Sequence, residues 1–232
     1  PVSSGAPAPK RSLMQRLGPA GLLGVLWALL PAVGGILLLA RIDHASDWLQ
    51  SHDLGTALLV YISIFVVSAG VGVLPTYAQS ILAGWVFQWI GIPAALAGFG
   101  GASLLGYAIA RFVSRDRVEK VIAENVKAKA VRDSLVGSGF WRSLLIVSLV
   151  RLPPNSPFAL TNGVMAASGV KLLPYFLGTV IGMTPRKTAA VILAVKLAHE
   201  NQGGIGAAIG QRGIGYIAFL IVTVMIALAV IG

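Results

Sequence analysis

The sequence predicts an all-α polytopic membrane protein, an inverted repeat of two re-entrant helical hairpins flanked by transmembrane helices. Three observations carry that prediction. The 232 residues are 56% hydrophobic and 11% charged, with mean hydropathy +0.82, where soluble domains run at about 25% charged. The charges fall between long apolar runs rather than through them. Two Pro/Gly-interrupted stretches recur at a fixed offset, one in each half. A soluble globule and a disordered chain are both excluded by this composition. The absence of Cys removes disulfides, thiolate metal sites and Cys nucleophiles. A net charge of +10 would suggest nucleic acid for a soluble protein. Placed between apolar runs, it suits the cytoplasmic face of a membrane protein, and no nucleic-acid partner is expected.

Residues 1–17, rich in Pro, Ser and Ala at their start, read as a disordered cytoplasmic tail. Residues 18–232 read as a single membrane domain. A spanning helix needs about 20 apolar residues. The uncharged run 18–40 meets this and is expected to be an uncleaved anchor helix, being too long for a signal-peptide core. Next comes loop 41–53, with Arg41 beside Asp43, Asp47 and Asp53.

The first half, 54–110, is uncharged for 57 residues, enough for about 86 Å of helix or nearly three traverses. Loop 111–142 follows and holds eight Lys or Arg. Within it, Val118, Val121, Ile122, Val126 and Leu135 approximate one helical face, so the segment is an amphipathic surface helix or a solvated connector. The second half spans 143–198, and 213–232 is a clean final helix.

Lys and Arg placement puts the N-terminus and loop 111–142 in the cytoplasm and loop 41–53 outside. An odd number of crossings must then join Asp53 to Arg111. Three crossings satisfy this, as does one crossing plus a re-entrant hairpin. The hairpin is preferred, because Gly70, Gly72, Pro75, Gly84, Gly91 and Pro93 interrupt the run repeatedly. Broken backbone at membrane depth survives only against protein or a wet cavity.

The interruptions repeat. Leu74-Pro75-Thr76-Tyr77, Ala83-Gly84, Gly91 and Gly100 are matched by Leu152-Pro153-Pro154-Asn155, Asn162-Gly163, Gly169 and Gly178, offset by 78 or 79 residues. Entering from opposite sides, the two halves would be inverted, with their breaks at Pro75, Gly84, Pro153, Pro154 and Gly163 meeting near the midplane. Paired broken segments of this kind point to a transporter's substrate site.

Arg151 is the most informative candidate contact. It ends a short apolar leg from Ser143, which places it near mid-depth, and no acid lies between Asp133 and Glu200 to pair with it. It either braces backbone carbonyls or awaits an anionic ligand, and its planar fork suits phosphate. The ligand reading is preferred. Arg186 and Lys187 either line the same cavity or snorkel to the outer interface. Asn155 and Asn162 offer neutral hydrogen bonds at the second break, and Thr76, Tyr77 and Gln79 do so at the first; the same groups also suit backbone freed by the prolines. Gly98, Ala102 and Gly106 share a helical face, as do Gly178 and Gly182, which suits close helix packing. The run from Leu172 to Ala198 is apolar but interrupted by Pro185, Arg186, Lys187 and Lys196. No nucleophile elbow, phosphate loop or compact His/Asp/Glu cluster is present. No enzyme, cofactor or metal is therefore expected.

These residues resemble the DedA superfamily, also called VTT-domain or SNARE-associated Golgi proteins, over roughly 48–200. The resemblance is carried by Gly84 in Ala-Gly-Trp-Val-Phe, the run ending Gly106-Tyr-Ala-Ile-Ala-Arg111, Arg151-Leu-Pro-Pro-Asn-Ser-Pro-Phe158, Asn162-Gly163 and Gly178-Thr-Val-Ile-Gly182-Met-Thr-Pro185. The chain looks closest to the branch with Pro-x-x-Pro-Phe after the Arg.

The resemblance implies two re-entrant hairpins and movement of phospholipid or polyprenyl-phosphate head groups between leaflets, as a flippase or scramblase of the bacterial inner membrane. Arg151 matches the family's hairpin arginine. Where many members carry a second Arg the chain has Pro157, and it has no acid between Asp53 and Asp116 where many members have one. The expected partners are membrane lipids with anionic phosphate head groups, and assembly as a homo-oligomer is left open. Two alternatives stand beside transport: a non-transporting membrane scaffold, and a small-solute channel.

Overall fold

The computed structural model describes residues 19–124, 139–152, 158–200 and 204–211. Among them the chain is helical and contains no strand. The helices are α1 (Pro19–Ala40), α2 (Ile42–Gln50), α3 (Leu54–Gly70), α4 (Thr76–Phe87), α5 (Gly91–Glu124), α6 (Gly139–Arg151), α7 (Phe158–Ala167), α8 (Leu172–Glu200) and α9 (Ile205–Gln211). The expected tail, the final helix 213–232 and the double proline Pro153-Pro154 lie outside the described residues, and so does Asn155.

The all-α expectation holds. Among the described residues one helical run is long and apolar enough to cross a membrane by length and composition, Thr76–Val113. It is not straight. Gln88 adopts φ 53° at its centre, and a 3₁₀ turn over Gln88–Ile90 separates α4 from α5. The turn folds Gly91 back onto α4, where an added Cβ would lie 2.5 Å from the Ala83 carbonyl oxygen. A straight helix would hold residues eight apart about 12 Å from each other.

Two glycine-terminated helices make the other turns. After α3, Val73 N–H donates to Ser68 C=O (2.7 Å) and Gly72 N–H to Ala69 C=O (3.1 Å), with Gly72 at φ 78°. After α7, Val170 N–H reaches Met165 C=O and Gly169 N–H reaches Ala166 C=O, both at 3.2 Å, with Gly169 at φ 79°. Both are Schellman caps, which require the left-handed conformation that glycine adopts freely.

Helix pairing repeats between the halves. Helix α3 packs on α5 as α6 packs on α8, while the short α4 lies on α8 and the short α7 lies on α5. Small residues let these helices approach. On α5, added Cβ atoms at Gly98 and Gly101 would each come within 2.5 Å of α3, at Phe65 and Val66. On α8, those at Gly178 and Gly182 would meet the Leu144 and Ser148 carbonyls of α6 at 2.8 and 2.4 Å. Gly98 of the face read on α5, and both Gly178 and Gly182 on α8, therefore do pack helices. From α1, Trp27 donates its indole N–H to Val71 C=O (2.8 Å), wedged between Gly72 and Gly163.

Apolar side chains form the core and also cover much of the outside. Leu29, Ile36, Leu37, Leu59, Leu149 and Leu173 are exposed, whereas Arg151, Arg186 and Lys187 are buried. Lys and Arg are almost never fully buried unless paired, and outward apolar surface marks a membrane or protein interface.

Several expectations are corrected. Residues 41–53 are not a plain loop, because α2 fills most of them. Ile42, Ser46 and Leu49 recur at helical spacing and are buried, and Asp43 sits in the first turn, where a negative charge suits the helix dipole. The boundary between 110 and 111 is not an element boundary, since α5 continues to Glu124. Pro185 does not interrupt α8, which runs unbroken from Leu172 to Glu200. Gly84 and Gly163 are not breaks. Each lies inside a short helix as a contact point: a Cβ on Gly84 would meet Val191 C=O of α8 at 2.4 Å, and one on Gly163 would meet Trp27 at 2.9 Å. Pro75 does mark a boundary, as the N-cap of α4.

Candidate functional site

Arg151 is the last residue of α6 and is 0% exposed, the largest fully enclosed side chain among the described residues. Its guanidinium is held by neutral oxygens. Nε donates to Thr179 Oγ1 at 3.3 Å, one terminal nitrogen donates to the Phe158 carbonyl at 3.3 Å, and the other reaches Asn162 Oδ1 and lies 3.5 Å from the Tyr175 hydroxyl. The rings of Phe158 and Tyr175 flank it, with centroids 5.5 and 5.8 Å from Cζ. Tyr175 ties the group to α5, its hydroxyl lying 3.0 Å from Ser103 C=O and 2.8 Å from Asn162 Oδ1. That hydroxyl has one proton to share between the two acceptors. Asn162 is fully buried, and its amide nitrogen has no hydrogen-bond partner.

One turn along the same face of α8 lies a second cationic group. Gly182 touches Arg151, since a Cβ there would lie 2.7 Å from Arg151 Cβ, and Arg186 is four residues further on. Arg186 is 6% exposed and Lys187 is 0% exposed. Lys187 Nζ donates to Thr76 Oγ1 at 2.6 Å and sits 3.9 Å from the Tyr77 ring centroid. Arg186 stacks at 5.5 Å from the same ring. Both side chains point into the protein. Lys196, by contrast, is exposed.

The structure thus brings together Arg151, Asn162, Arg186, Lys187, Thr76 and Tyr77 where α8 meets the two short helices. Gln79 is not among them. It lies on another face of α4, where its side-chain oxygen is 3.2 Å from Ser68 Oγ and its backbone carbonyl accepts from Tyr61 at 2.9 Å. Sequence reasoning missed Tyr175, Thr179 and Ser103. A signal for two of them was present: Tyr175, Thr179, Gly182 and Arg186 are spaced to form one stripe along a helix.

The VTT-domain family model matches residues 74–195, which run from the turn before α4 to the late part of α8 and take in Arg151, Arg186 and Lys187. None of the curated proteins and none of the solved structures compared with the chain matches it. A match across more than half of the sequence, containing both short helices and the buried cations, shows that the chain belongs to the VTT-domain family, the membrane-associated DedA and SNARE-associated group.

Proposed function

We propose that this protein moves phosphate-bearing lipid head groups between leaflets, as a flippase or scramblase of phospholipid or polyprenyl phosphate. One observation carries the reading: Arg151, Arg186 and Lys187 are buried together among hydroxyls, amides and carbonyls. Burying an ion costs several kcal/mol even after relaxation. An intramembrane Arg or Lys is accordingly a functional site by default. A phosphate entering this cluster offsets those costs together, whereas a scaffold gains nothing from them.

In the resting arrangement Arg151 latches α7 to α8 through neutral oxygens. An arriving phosphate competes for the same fork, displacing Phe158 C=O and Asn162 Oδ1 in favour of two charge-assisted bonds. The partnerless Asn162 amide nitrogen supplies a further donor. Lys187, Arg186 and Thr76 receive the head group on the side of the first half, while the hydrocarbon chain stays in lipid.

The membrane placement belongs to the same proposal. The two short helices, with 12 and 10 residues, reach about 18 and 15 Å, roughly half of a 30 Å hydrocarbon core. They serve as re-entrant legs of an inverted pair in the bacterial inner membrane, with the N-terminus and 111–142 cytoplasmic. The repeated packing of each short helix on the other half supports this arrangement.

Purified protein in liposomes with a fluorescent phospholipid tests the reading by the rate at which outer-leaflet label becomes protected. Arg151→Ala and Lys187→Met are expected to slow exchange at least tenfold. Wild-type rates in Arg151→Ala refute the phosphate role. No exchange by the wild-type protein refutes transport, and greater damage from changes in 111–142 then favours the scaffold.

A further inference from the structure

Helices α1 to α4 enclose a second feature that head-group chemistry does not use, a cavity of about 200 Å³. Its wall is aliphatic, formed by Leu38, Leu49, Val60, Ile64, Leu74 and Leu82. Trp48 and His44, both exposed, border it from α2. The polar group of interest in the wall is Gln79, which is 3% exposed. Its amide nitrogen is buried without a partner. Turning the amide around does not remove the deficit. Ser68 Oγ already donates to Ile64 C=O at 2.6 Å and offers a single contact to the amide at 3.2 Å, so one end stays open.

The amide nitrogen is closed off from the cavity as it stands, so water entering there does not satisfy it. Pockets for drug-sized ligands start at about 300 Å³, so the space fits a chain segment rather than a bulky head group. Leu59, Ile64 and Val67 of α3 are exposed beside it, and the cavity is partly open, giving a chain a route in from the surrounding bilayer.

We propose that this cavity holds the upper part of a phospholipid acyl chain, and that the Gln79 side chain turns towards it so that its amide N–H₂ donates to the ester carbonyl. The donor selects the occupant, because an acyl ester presents a carbonyl at the head of its chain and a prenyl phosphate does not. The site requires a surrounding bilayer but no movement of head groups, and so goes beyond the transport reading.

The test is photocrosslinking of the full-length protein in vesicles doped with phosphatidylcholine bearing a diazirine near the carbonyl end of one chain. Adducts are mapped by peptide mass spectrometry, with an ether-linked analogue as control. Labelling is expected to concentrate on Leu49, Val60, Ile64 and Leu82, with a preference for ester over ether of about two- to tenfold, the worth of one hydrogen bond. Val60→Phe removes the concentrated labelling, and Ala45→Leu gives the same result should Val60→Phe fail to fold. Gln79→Leu keeps the labelling but abolishes the ester preference. Labelling spread evenly over all outward-facing helices overturns the proposal, as do equal ester and ether yields in the wild type or stronger displacement by a polyprenyl phosphate than by phospholipid. Lipid exchange measured in the same vesicles reports separately on transport: labelling without exchange sinks the transport reading alone, and exchange without labelling sinks this one alone.

Discussion

Lys187→Met separates a functional cation from a structural one. Lys187 is fully buried, donates to Thr76 Oγ1 at 2.6 Å and stands 3.9 Å from the Tyr77 ring centroid. A hydrogen bond from a charged donor contributes about 1.5–3 kcal/mol, and a desolvated cation–π contact adds about 2 kcal/mol. Against these stands a desolvation cost of several kcal/mol. The contributions nearly cancel, and methionine fills a similar volume at no electrostatic cost. Replacing a buried ion pair with apolar groups of like size is commonly neutral or stabilising by about 1–4 kcal/mol, and here the partner left behind, Thr76, is neutral. The variant is therefore expected to melt at the wild-type temperature or higher, by about 2–4 °C per kcal/mol for a chain of this size. Exchange of anionic phospholipid should nevertheless fall at least tenfold. Thermal unfolding in detergent and the liposome assay, run on the same preparation, check the two halves of the expectation. A drop of more than about 2 kcal/mol, with exchange falling only in proportion to folded protein, would show that the ammonium holds the fold together and would refute the reasoning.

Other predictions test the packing around the site. Gly182→Val drives a side chain into Ser148 C=O (2.4 Å from the added Cβ) and Arg151 Cβ (2.7 Å); it should cost about 1–3 kcal/mol in thermal unfolding and slow exchange by moving Arg151. Tyr175→Phe leaves Ser103 C=O short of a donor and loosens Asn162, at about 1–3 kcal/mol in the same measurement. Trp27→Phe gives up the 2.8 Å bond to Val71 C=O, which should cost about 1 kcal/mol. Asp53 caps α3, and its bond from Thr56 N–H (2.9 Å) holds the carboxyl below its ordinary value of 3.8. Because the folded value is the lower one, the cap's contribution is complete well above that ordinary value and is lost as pH falls through the folded one. Asp53→Asn should flatten that acid limb in a pH series of melting temperatures.

Much of this was readable from residue order, for identifiable reasons. Long uncharged runs can bury their backbone only as helix, so the class followed from composition. Arg151 stood out because an uncompensated charge in an apolar leg has few places to go. Glycines at packing faces were recognised by spacing, yet Gly84 and Gly163 were read as breaks. A glycine admits both a turn and a close approach, and only the neighbour, α8 or Trp27, says which. Pro185 lies inside α8, which continues through it to Glu200, as packed neighbours allow. The acids of 41–53 suggested loop, although Ile42, Ser46 and Leu49 already carried the period of α2. Tyr175 and Ser103 were hidden because they join Arg151 from α8 and α5, contacts that no local pattern records.

The crossed seating of the short helices has a consequence for how the chain is made. The wall that receives α4 is α8, which is synthesised about a hundred residues later. Until that wall arrives, α4 has only α5 and the helices before it to pack on. Neither half is a self-sufficient unit, because each short helix takes its largest long-range wall from the other half.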